Sequence, residues 1–157
     1  MNSKIHRQTL DRFKQLRVVW TAFATHRLKP LGVVPNQSLF LRTLRLMEPC
    51  SLADISASTH IDPAAVVRLA DSLTVKGWIV RQEHPTDRRR WRVCLSPGGR
   101  KMALKFNAIH DDILGELLSP LTGDELARFN DILEKLWVPH NPVKTGEPKK
   151  QPKRKKP

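Results

Sequence analysis

Ser51-Leu-Ala-Asp-Ile-Ser-Ala-Ser-Thr-His-Ile-Asp-Pro-Ala-Ala-Val-Val-Arg-Leu-Ala-Asp-Ser-Leu-Thr-Val-Lys-Gly77 contains two helix starts in close succession. At the first, Ser51 offers a hydroxyl to an orphan amide of the opening turn, and Asp54 puts a carboxylate where the helix dipole is positive. That helix is short and ends near Ser58. Thr59-His60-Ile61 makes a tight turn, and Asp62-Pro63 then supplies a second N-cap with proline at the first helical position. Val66, Leu69, Ala70 and Leu73 recur at helical spacing and form the inward face. Gly77 is placed to end the helix in a left-handed conformation. The stretch therefore reads as helix, turn, helix.

Downstream, Trp78-Ile-Val80 and Trp91-Arg-Val-Cys-Leu95 are strand-like runs around the polar stretch from Glu83 to Arg90. They predict a hairpin with Asp87-Arg88-Arg89-Arg90 at a charged tip. Alternation puts Trp91, Val93 and Leu95 on one face, and Arg90, Arg92 and Cys94 on the other. Ser96-Pro97 opens a long helix with Met102, Phe106, Ile109, Ile113 and Leu117 in one stripe, ending near Pro120. Thr122-Gly-Asp-Glu125 caps a last helix with Leu126, Phe129, Ile132, Leu133, Leu136 and Trp137 inward, stopped by Pro139.

Upstream, Leu10, Phe13, Leu16, Trp20 and Phe23 share one face of a helix that reaches about Lys29, where Pro30 and Gly32 close it. A second helix starts near Pro35, carries Leu39, Leu41, Leu44 and Met47, and stops before Pro49. The expected fold is mainly α with a small β-hairpin: a winged helix-turn-helix with amino- and carboxy-terminal dimerisation helices. The expected divisions are residues 1–32 (dimerisation), 33–96 (winged helix-turn-helix), 97–137 (dimerisation) and 138–157 (a disordered basic tail).

The 28 Lys and Arg residues outnumber 15 Asp and Glu, and the net charge of +13 calls for an anionic partner, nucleic acid before an acidic membrane surface. The charge is clustered. Arg88, Arg89, Arg90, Arg92, Arg100 and Lys101 have no acidic residue among them, and seven basic residues beyond Pro139 face Glu147 alone. Two cysteines, Cys50 and Cys94, are too few for a disulfide scaffold. Cys94 lies near guanidinium groups that lower a thiol pKa, although an inert thiol is the favoured reading. No apolar run approaches the ~20 residues of a bilayer span. A cytoplasmic, nucleoid-associated protein is expected, without cofactor. None of the six histidines has metal-ligand spacing to a second His or Cys, and no nucleophile elbow, P-loop or paired-carboxylate pattern points to an enzyme.

A recognition helix in the major groove reads base edges with its exposed side chains. Ala64, Ala65, Arg68, Asp71 and Ser72 form that face, and Arg68 is its one strong donor. Arg88, Arg89, Arg90 and Arg92 are candidates for the adjacent minor groove or for phosphates. The expected partners are near-palindromic double-stranded DNA and a second copy of the chain. The alternative is an RNA- or ribosome-associated basic protein, against which stands the lack of an aromatic stacking platform.

His26-Arg-Leu-Lys-Pro-Leu31, Val67-Arg68 with Asp71, Leu73 and Lys76-Gly77, and Asp87-Arg88-Arg89 leading to Val93-x-Leu95-Ser96 resemble MarR-type regulators of the SlyA-like group, over about Leu16 to Leu136. The resemblance implies interlocked terminal helices in a dimer, base reading by Arg68 and a wing role for Arg88 and Arg89. It further implies a transcriptional repressor or anti-silencing factor that answers to a small anionic or aromatic effector. Trp20, His26, Ser38 and Arg42 are the implied pocket. The second helix departs from the group, with Ser38 and Arg42 where relatives carry Trp and His.

Overall fold

Prolines and capping side chains set the element boundaries. The computed structural model describes residues 3–84 and 87–140, with side chains for 3–83 and 91–137. The chain divides after Leu117 into two units. In the first, α1 (Ser3–Leu28) passes into a 3-10 turn (Lys29–Leu31) that Gly32 closes at φ 63°. Then follow α2 (Pro35–Met47), α3 (Leu52–Thr59), α4 (Pro63–Val75), β1 (Ile79–His84), β2 (Asp87–Leu95) and α5 (Pro97–Leu118). The second unit begins with Leu118, the last residue of α5, and contains α6 (Gly123–His140).

Local chemistry explains most of these ends. The Asp54 amide donates to Ser51 Oγ at 3.2 Å, and the Ser51 amide donates back to Asp54 Oδ2 at 2.9 Å. At α4 the amides of Ala64 and Ala65 both donate to Asp62 Oδ1, at 3.0 and 3.1 Å. Gly77, at φ 69°, turns the chain from α4 into β1. Thr122 and Glu125 repeat the capping box at α6. There the helix runs through Pro139 to His140, one residue past the expected stop. Proline in the last turn forfeits one terminal bond and leaves the interior ladder intact.

The core of the first unit joins Phe40, Leu41 and Leu44 of α2 to Ile55 of α3, Val66, Ala70 and Leu73 of α4, Ile79, Val93 and Leu95 of the hairpin, and Phe106 and Ile113 of α5. Only Ala24 and Leu28 of α1 reach it fully. Every residue from Ser3 to Val19 is exposed, about 25 Å of helix without cover. The α6 stripe, expected to face inward, has Phe129 and Leu133 half-buried but Leu126, Ile132, Leu136 and Trp137 exposed. Amphipathic spacing identifies an apolar face without saying what covers it.

The hairpin is longer than the apolar runs suggested. Ile79 pairs with Leu95, Arg81 with Val93 and Glu83 with Trp91, all antiparallel. The register then breaks, and His84 pairs with Asp87. Arg88, Arg89 and Arg90 are therefore the extra residues on β2 and do not form the tip, because backbone pairing extends through polar residues that carry no period-2 signal. A further tie comes from Glu48, after α2. Its carboxylate accepts from the Leu95 amide at 2.7 Å and pairs with Arg100 in the first turns of α5.

Candidate nucleic-acid interface

Because Val66, Ala70 and Leu73 turn into the core, residues 64, 67, 68 and 71 make up the outer stripe of α4. Ala64 and Arg68 are exposed, and Val67 is 44% exposed. The Arg68 guanidinium makes no hydrogen bond or ion pair among the described residues. Asp71 is held by Arg81 of β1, so its charge is answered within the protein. Two expected contacts are drawn back from this face. Ala65 is half-buried, and Ser72 is half-buried with its hydroxyl accepting from Gln37 Nε2 of α2 at 2.8 Å. Sequence reasoning did not count Val67 as a reader, although its place three residues after Ala64 puts it on the same face.

The backbone of β2 carries Arg88, Arg89 and Arg90 in the register break, and their side chains lie outside the described residues. Arg92 is half-buried on the face that also bears Cys94. Burial pushes the Cys94 thiol up, and Glu48 adds to this against Arg100 and Arg92, so proximity to guanidinium does not lower its pKa. Burial also pushes Cys50 up, to about 11. Neither thiol is activated.

The four residues expected to share a ligand pocket do not line one opening: Ser38 and Trp20 meet at a buried histidine, while Arg42 and His26 border separate hollows. Ser38 is fully buried, with Oγ 3.0 Å from His110 Nε2, so it lines no opening. Trp20 lies against the same imidazole, with ring centroids 5.2 Å apart. Arg42 opens instead onto a cleft of about 290 Å³ between α2 and α5, where its Nε donates to Asn107 Oδ1 at 2.7 Å. Burial lowers its pKa, with Asp111 opposing and Arg45 adding to the shift. His26 is exposed and borders a different hollow, along α1 with Arg17, Thr21 and Lys29. The residue that sequence reasoning missed is His110. It stands four after Phe106 and three before Ile113, on the stripe already read as inward. Burial, then Arg42, with Asp111 opposing, brings its pKa down to about 4.

Residues 31–90 match the profile of the MarR family. Among solved structures, the chain is similar to the reduced form of MarR from E. coli, at 25% identity and TM-score 0.74, covering 80% of this chain and 93% of that one. A cysteine-to-serine mutant of the same protein complexed with operator DNA is also 25% identical, with TM-score 0.74 over 87% of this chain and 99% of that one. A probable transcriptional regulator from Pseudomonas aeruginosa is 26% identical, with TM-score 0.74 over 85% and 99%. A helix-turn-helix followed directly by a two-stranded wing is thus the arrangement that this chain shares with solved MarR structures, and its residues 31–90 carry the sequence profile of the MarR family.

Proposed function

We propose that this chain is a dimeric, sequence-specific regulator of transcription that lays α4 in the major groove of double-stranded DNA and brings its wing to the flanking backbone or minor groove. The carrying observation is Arg68, exposed at the middle of the outer stripe of α4 and without a partner among the described residues, beside an Asp71 already tied to Arg81. A guanidinium so placed is suited to the O6 and N7 of guanine. The related E. coli protein complexed with operator DNA supports the same use of this fold.

Dimerisation through residues 1–32 and 97–137 follows from the uncovered apolar residues of α1 and α6. A near-palindromic site with half-sites about 34 Å apart is the geometric counterpart. Arg88, Arg89 and Arg90 are assigned to the wing contact, and residues 141–157, outside the described residues, to sequence-independent phosphate neutralisation on the strength of their charge. The SlyA-like placement and an anionic effector at Arg42 belong to the same reading, and such a protein works at the nucleoid.

The test is competition at near-physiological salt among a selected duplex, a random duplex and structured RNA. Preference for the selected duplex by at least about a thousandfold supports the reading. Equal affinity for all three sinks it.

A further inference from the structure

We propose that Ala64 and Val67 select thymine by its 5-methyl group, beside a guanine read by Arg68. This inference rests on α4 being the DNA reader and goes further, to the base chemistry that the helix accepts. On the stripe formed by residues 64, 67, 68 and 71, Arg68 and Asp71 are the side chains able to hydrogen-bond. Asp71 is engaged through Oδ1 by Arg81 of the wing. That offsets its charge towards nearby phosphate and makes it a weaker acceptor for a cytosine amine. Beside the guanidinium remain a methyl and an isopropyl group, with Val67 44% exposed.

Among base edges in the major groove, the thymine 5-methyl is the apolar feature, whereas guanine, adenine and cytosine present only acceptors or amines there. An isopropyl group pressed on an amine or carbonyl strips its water and returns no hydrogen bond, which penalises the wrong base. Pressed on a methyl, it buries apolar surface on both sides. The asymmetry also fixes order. Pro63, Ala64, Ala65 and Val66 make the amino-terminal turn of α4, which enters the groove first, the apolar part, with the Asp62 carboxylate engaged as its cap. The guanidinium follows it.

The experiment uses the full chain. Duplexes are first selected from a randomised pool, and each thymine in the enriched half-site is then replaced in turn by uracil, which deletes the methyl and nothing else. At one or two positions next to the guanine, replacement is expected to weaken binding by about fourfold, the equivalent of one buried methyl group. Val67→Ala, at an exposed position, should fold as the parent does and lose most of that uracil penalty, while Arg68→Ala should lose the guanine preference and keep it. If uracil is neutral throughout an enriched site, or if Val67→Ala keeps the full penalty, the thymine assignment is overturned while DNA reading by this chain stands. If no sequence is enriched at all, the proposed function falls and takes this inference with it.

Discussion

Gly98 and Gly99 are adjacent in sequence and opposite in constraint. A Cβ on Gly99 would stand 1.8 Å from the carbonyl oxygen of Trp78, where α5 starts against the entry to β1. On Gly98 it would meet Ser96 Oγ at 3.7 Å, an ordinary contact. Gly99→Ala is therefore expected to destabilise the fold by about 3 kcal/mol through forced backbone movement. Gly98→Ala should stabilise it by about 0.5–1 kcal/mol through helix propensity. Urea denaturation of the two variants, run side by side, checks both signs. At His110 the folded-state pKa is about 4, below the ordinary 6.5, so the unfolded chain binds the proton more readily. The native state keeps its full stability above about pH 6.5 and loses it as the pH falls towards 4, by on the order of 2–3 kcal/mol. His110→Asn should flatten that slope in thermal melts between pH 7 and 4, and an unchanged slope would remove His110 as its cause.

Among the elements, helix ends were more legible in the sequence than strand ends. Ser51 with Asp54, Asp62 with Pro63, and Gly77 act on their own backbone within a turn, so the sequence alone places them. The hairpin depends on pairing between distant residues. Arg88 to Arg90 read as a tip because nothing local reveals that Asp87 pairs with His84. The candidate site divides in the same way. Arg68 was legible from helical phase, whereas the withdrawal of Ser72 towards Gln37 and the capture of Asp71 by Arg81 depend on tertiary neighbours. The Arg81 contact gives a prediction at this scale. Arg81→Gln frees a carboxylate on the reading face, and specific duplex should be bound about tenfold more weakly. Fluorescence anisotropy checks it, and unchanged affinity would mean that Asp71 lies clear of the phosphates.

At the scale of the whole molecule, deleting α1 is a poor test of dimerisation, because it also takes Ala24 and Leu28 out of the core. Phe13→Glu combined with Leu16→Glu alters only exposed positions. It should weaken self-association by at least about a hundredfold, since each lost apolar side chain is worth roughly 1.5–3 kcal/mol. Sedimentation that still gives a dimer at micromolar concentration would refute the role of this face. The terminal charge makes a separate prediction. Deleting residues 141–157 should flatten the salt dependence, by about 0.9 in log–log slope for each phosphate no longer neutralised, and should weaken selected and random duplexes alike.

Glu48 holds the Leu95 amide with one carboxylate oxygen and Arg100 with the other, so the root of the wing and the first turns of α5 are pinned to one point. They turn together, like a crank on its shaft. The shaft is 22 residues long, about 33 Å. A tilt of roughly 10° at its far end therefore carries the root of the wing through about 6 Å. On a ruler whose marks are one helical turn of DNA apart, that is the difference between meeting the next groove and striking the ridge beside it.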